Sequence, residues 1–187
     1  MWGFGIVGWW ALVVAMAAVT VGQPVPSIQL TGPERGLLQL TANDVIQYRP
    51  FASRRVIPGK VRVIIHMAAR LGAKADGRRL TDTLDRANLD PQRFQVLVVL
   101  AADDCTFGTC LFVRGQFEDQ VRERRNTAFV YDDRGDVRRL WGLPGEAFTA
   151  ILTDRDGRVV RSKTGTFTRA DALTYLKEAR ALMARTD

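Results

Sequence analysis

At 187 residues, 47% hydrophobic and 25% charged with no low-complexity run, the chain has the composition of one ordinary globular domain with room for a real core. Its two cysteines are therefore not needed to hold it together, and with a single histidine they are too few for a convincing metal centre. The net charge of +7 is spread as arginine doublets with acids close by, such as Arg54-Arg55, Arg78-Arg79, Arg124-Arg125 and Arg138-Arg139. No basic block of five or more residues occurs, which sets aside nucleic acid as a partner.

Residues 1–21 carry no charged side chain, and the apolar run from Trp2 ends in the small residues Ala15-Met16-Ala17-Ala18. An apolar stretch leaving through an Ala-x-Ala pattern reads as a secretory signal peptide cut near Ala18. No Lys or Arg precedes it, so the alternative is an uncleaved membrane anchor, with residues 1–21 holding the protein at the inner membrane. Either way the domain is exported, and the periplasm is the expected compartment. An oxidising compartment lets two cysteines form a disulfide.

Beyond the signal, Gly22-Gln23-Pro24-Val25-Pro26 reads as an extended linker, because proline restricts itself and its predecessor. Short strands are expected at Ile28–Leu30 and Leu37–Leu40, with a further piece within 45–51. Pro58-Gly59 then turns the chain into Val61–Met67, a nearly continuous β-branched run suited to a strand covered on both faces. A helix over about 73–88 shows Leu80, Leu84 and Ala87 on one face. Phe94–Leu100 repeats the buried-strand pattern, and a helix over about 109–125 aligns Cys110, Val113, Phe117 and Val121. Thr127–Tyr131 is the next strand, Asp133-Arg134-Gly135 its turn, and 137–143 a short helix or turn. Two strands, Phe148–Thr153 and Arg158–Lys163, flank the hairpin signal Asp156-Gly157. Thr168 and Asp171 form a capping-box start for a last helix with Ala172, Leu176, Ala179 and Met183 on one face.

Strand, helix, strand, helix, strand, then hairpin and helix is the order of an α/β thioredoxin-like fold, a central mixed sheet flanked by helices. Three parts follow. Residues 1–18 are the signal peptide or anchor, 19–58 an N-terminal extension with short strands, and 59–187 the thioredoxin-like domain.

Two clusters carry a family resemblance. One is Gly59-Lys60-Val61-Arg62-Val63 with His66, Ala68, Arg70, Ala73 and Lys74. The other is Asp103-Asp104 and Gly108 followed by Phe112-Val113-Arg114, and the hairpin from Asp154 to Val159 also fits. On these residues the chain resembles the YtfJ family of exported bacterial thioredoxin-like proteins, over roughly 22–184. The resemblance implies the fold, export and a mature start near Gly22. It supplies no catalytic residues, and Cys105 and Cys110 depart from its expected pattern.

A thioredoxin-type redox site needs Cys-x-x-Cys directly after the first central strand. Here that place holds Arg70-Leu71-Gly72-Ala73-Lys74, and where the fold usually has a cis-proline stand Ala147-Phe148. Cys105 and Cys110 are instead spaced Cys-x4-Cys between a loop and a helix start. They read as a structural disulfide or, alternatively, as a relocated redox pair whose thiolate a helix N-terminus stabilises. His66, the lone histidine, reads as a packed strand residue. It also lies near a strand's C-terminal end, where α/β sheets bind ligands, so His66, Arg70, Asp103 and Asp104 form the candidate ligand site. No glycine-rich phosphate loop and no Gly-x-Ser-x-Gly elbow occurs, so no cofactor is expected. Trp141 reads as a packing residue. The expected function is an exported binding or accessory module with a protein or small-molecule partner in the periplasm. The alternative is a thiol–disulfide oxidoreductase using Cys105 and Cys110.

Overall fold

The computed structural model describes residues 18–69, 71–103, 105, 109–124 and 126–185 (71–74 as backbone), so the signal-like residues 1–17 lie outside the described part. The centre of the molecule is β5 (Val61–Ala68), whose burial is continuous through His66. It pairs in parallel with β6 (Phe94–Ala101), which pairs in parallel with β7 (Thr127–Asp132). On the other side β5 pairs antiparallel with β8 (Thr149–Thr153), and β8 pairs antiparallel with β9 (Val159–Thr164). Runs of Val, Ile and Leu without alternation are what a strand covered on both faces requires.

Both faces are covered. Along β5, Val61, Val63 and Ile65 point to one core and Ile64 to the other. The first core is closed by α2 (Leu71–Arg86), α3 (Thr109–Glu123) and α5 (Arg169–Ala184) through Leu80, Leu84, Phe117, Val121, Tyr175 and Ala179. The second is closed by α4 (Asp136–Trp141), through Val137 and Trp141, and by the N-terminal segment. Trp141 is fully buried and its indole N–H donates to the Pro26 carbonyl at 3.0 Å, so it packs rather than offering a binding platform. The capping box at Thr168 and Asp171 is present at the start of α5.

The N-terminal segment is woven into this core. β2 (Gly36–Leu40) and β3 (Ile46–Arg49) form a hairpin, and β2 extends the sheet by pairing antiparallel with β7. β1 (Gln29–Leu30) and β4 (Phe51–Ala52) make a separate two-stranded ribbon, followed by the short α1 (Ser53–Val56). The proline-rich stretch is extended, as expected, but it does not run free. The Val25 N–H donates to Gly157 and the Val159 N–H to Gln23, zipping it onto the β8–β9 turn. Among the described residues no helix is long and apolar enough to cross a membrane.

Candidate functional site

The three parallel strands end side by side at Ala68, Ala101 and Asp132, and the chemistry-bearing residues collect at that edge. β6 leads into Ala102, Asp103 and Cys105. The Cys105 N–H donates back to the Ala102 carbonyl at 3.3 Å, a tight turn that aims Cys105 at the start of α3. Cys105 and Cys110 are joined, with S–S 2.01 Å and Cα–Cα 5.4 Å, an ordinary separation for a disulfide. Both residues are half-buried, and Cys105 packs against the core that α3 covers.

Beside the disulfide lies a cleft of about 350 Å³ between α3 and the ends of β5 and β6. Met67, Leu100, Phe112, Val113 and Phe117 line it, with Gln116 and Gln120 at its margin. The helical stripe read from the sequence holds in part: Phe117 and Val121 are buried and Val113 packs beside them. Directly after Cys110, Leu111 and Phe112 are 77% and 65% exposed. Two large adjacent apolar side chains thus face solvent beside an apolar cleft.

His66 lies on the opposite face. Side chains alternate along β5, so Met67 faces the cleft while His66 shares its face with Ile64 and the α4 core. It is fully buried, and neither ring nitrogen has a hydrogen-bond partner. Burial, with the positive Arg138 adding to it and Asp103 opposing, lowers the imidazole to about 4. Asp103 belongs to the same electrostatic neighbourhood but is held by Arg138 of α4 at 2.5 Å. Arg70 and Asp104, the other two members of the candidate ligand set, lie outside the described residues. Thus the structure brings His66 and Asp103 into one neighbourhood and sets the disulfide and cleft across the sheet from His66.

Sequence reasoning missed the ionic lattice around this edge. Arg35, in the turn before β2, reaches Asp132 at 3.2 Å, Asp133 at 3.0 Å and Asp136 at 2.6 Å. Arg139 reaches Asp136 at 2.5 Å. The Asp132 carboxylate is completely buried and also accepts the Val137 N–H at 2.8 Å, which fixes the start of α4. Burial raises its pKa, while Arg35 holds that of Asp136 down. The recurring acids at 132, 133 and 136 beside the Arg138-Arg139 doublet were the available signal; Arg35 had none. Among the described residues no group of three or more His, Cys, Asp or Glu side chains is placed to hold a metal.

Known proteins resemble this chain in sequence and in fold. Residues 19–181 match the family described as "Bacterial protein of unknown function (YtfJ_HI0045)". An uncharacterized protein of Haemophilus influenzae is 29% identical over 154 residues, 82% of each chain. The Escherichia coli protein named "Uncharacterized protein YtfJ" is 33% identical over 147 residues, 79% of this chain and 78% of its own. Among solved structures, a putative thiol:disulfide interchange protein DsbE from Chlorobium tepidum superposes with TM-score 0.61 at 20% identity, over 89% of this chain and all of that one. The fold is thioredoxin-like, and the chain belongs to the YtfJ family.

Proposed function

We propose that the protein is an exported thioredoxin-like binding module that holds an apolar segment of a partner in the cleft walled by α3, with Cys105–Cys110 as the brace that fixes that wall. The observation that carries the reading is the cleft itself, together with Leu111 and Phe112 exposed immediately after the disulfide. Export is supported by the uncharged apolar residues 1–21 and their small-residue exit. The test is fluorescence anisotropy of a labelled Leu/Ile-rich peptide with the full chain. Phe112→Asp weakens binding about tenfold or more, the scale of losing one buried aromatic anchor. Val45→Asp, on an apolar residue elsewhere on the surface, leaves it unchanged. Equal binding by Phe112→Asp and the parent contradicts the reading.

A second reading is favoured by one observation: Cys110 sits in the first turn of α3, where the helix dipole stabilises a thiolate. Under it the reduced pair attacks a substrate disulfide, Cys110 forms the mixed disulfide and Cys105 resolves it. The chain ends oxidised and the substrate reduced, and an external dithiol restores the pair.

A further inference from the structure

Four exposed arginines gather along one groove between two helices. Most arginines on the α3 and α4 sides are paired with acids: Arg114 with Glu34 and Glu118, Arg122 with Asp44 and Asp119, Arg124 with Asp85, and Arg138 with Asp103. On the sheet face that α3 also covers, α2 and α5 pack side by side, and the groove between them has a volume of about 610 Å³. Arg79 and Arg86 of α2 and Arg169 and Arg180 of α5 line it. All four are exposed, and none makes a salt bridge among the described residues. Asp82, the one carboxylate in the lining, lies 3.7 Å from Arg78. The half-exposed Leu173 supplies apolar surface within the groove, and the buried Leu176 lines it beneath.

We propose that this groove docks an acidic amphipathic helix of a partner protein. The spacing of the charges argues for an elongated anion. Arg79 and Arg86 are two turns apart, roughly 10 Å along α2, and Arg169 and Arg180 three turns apart, roughly 16 Å along α5. Guanidiniums spread over that length do not converge on one phosphate, but they match carboxylates repeated along a helix. The leucines match the apolar stripe of such a helix, which lays its anchors into a groove at one-turn intervals. A bilayer surface is planar and does not enter a groove between two helices. The proposal is independent of the apolar cleft by α3, because it rests on different residues on different helices.

The test uses the full chain and a labelled peptide with leucines at helical spacing and glutamates opposite, read by anisotropy at low and high salt. The acidic peptide binds, its affinity falls with salt, and the double variant Arg79→Glu/Arg180→Glu weakens it by about tenfold or more. The lysine-for-glutamate twin does not bind. Both positions are exposed, so circular dichroism melting shows the variant as stable as the parent. Undiminished binding by the double variant overturns the proposal. So does arginine-dependent binding to phosphatidylglycerol vesicles without binding to the peptide, which would assign the groove to a lipid surface.

Discussion

The guanidinium of Arg35 lies 3.2 Å from the completely buried carboxylate of Asp132, across 97 positions of sequence. It joins the turn before β2 to the end of β7 and, through Asp136, to α4. Removing one partner of a buried pair leaves the other charged group desolvated and uncompensated, a cost of about 3–5 kcal/mol. Asp132 retains the Val137 N–H, so Arg35→Ala is expected near the lower end of that range. Urea unfolding measures it. A loss below about 1 kcal/mol would show the pair to be no more than a surface ion pair.

His66 makes stability depend on pH in a defined window. Its folded pKa, about 4, is depressed from an ordinary value of 6.5 by burial. Between these values the unfolded chain binds the proton and the folded chain does not, so stability rises with pH across the window and falls as the solution is acidified. The expected loss from pH 7 to pH 4 is about 3 kcal/mol. In His66→Leu that component vanishes, while stability at pH 7 changes by less than about 1 kcal/mol because no hydrogen bond is lost. Parallel pH profiles for parent and variant would show that the imidazole is not buried neutral.

Gly77 sits within α2, where alanine ordinarily favours a helix by about 1 kcal/mol. Here a Cβ would meet the fully buried Phe148 ring, with the nearest ring atom 1.8 Å away. Overpacking of this kind costs about 1–3 kcal/mol, so Gly77→Ala destabilises despite its propensity. Thermal unfolding reads the sign, and a stabilised variant would refute the close approach.

Removal of the disulfide in Cys105→Ala/Cys110→Ala opens a very short loop, for which chain entropy gives a loss of about 2 kcal/mol. The cleft wall loosens with it, so the labelled apolar peptide binds more weakly even where the variant remains folded. A variant matching the parent in both stability and peptide binding would remove the brace from the account.

The sequence made the centre of this fold legible because buried parallel strands need unbroken β-branched runs, and Val61–Met67 and Phe94–Leu100 are such runs. The capping box at Thr168 and the Asp156-Gly157 turn were readable for the same local reason. The places of β1 to β4 were not. They are short, and β2 joins the sheet through pairs such as Leu37 with Val130, far apart in the chain. Cys105 and Cys110 were read from their spacing and the expected export as a structural disulfide or a relocated redox pair, and they are joined. Their cleft was hidden, because helical periodicity says which residues face the core and not whether neighbours such as Phe112 find cover. His66 was read as a strand residue with a ligand role in reserve, but its complete burial depends on α4 and the N-terminal segment packing over that face.

In the proposed function the Cys105–Cys110 disulfide braces a binding cleft and does not turn over. The reduction potential of Cys105–Cys110 in the full chain, by glutathione titration with alkylation and mass spectrometry, tests it most directly. A brace lies below about −300 mV, out of reach of the glutathione pool, and that is the result expected. A value between about −120 and −270 mV, the range of working oxidoreductases, would contradict it and make the pair a redox centre.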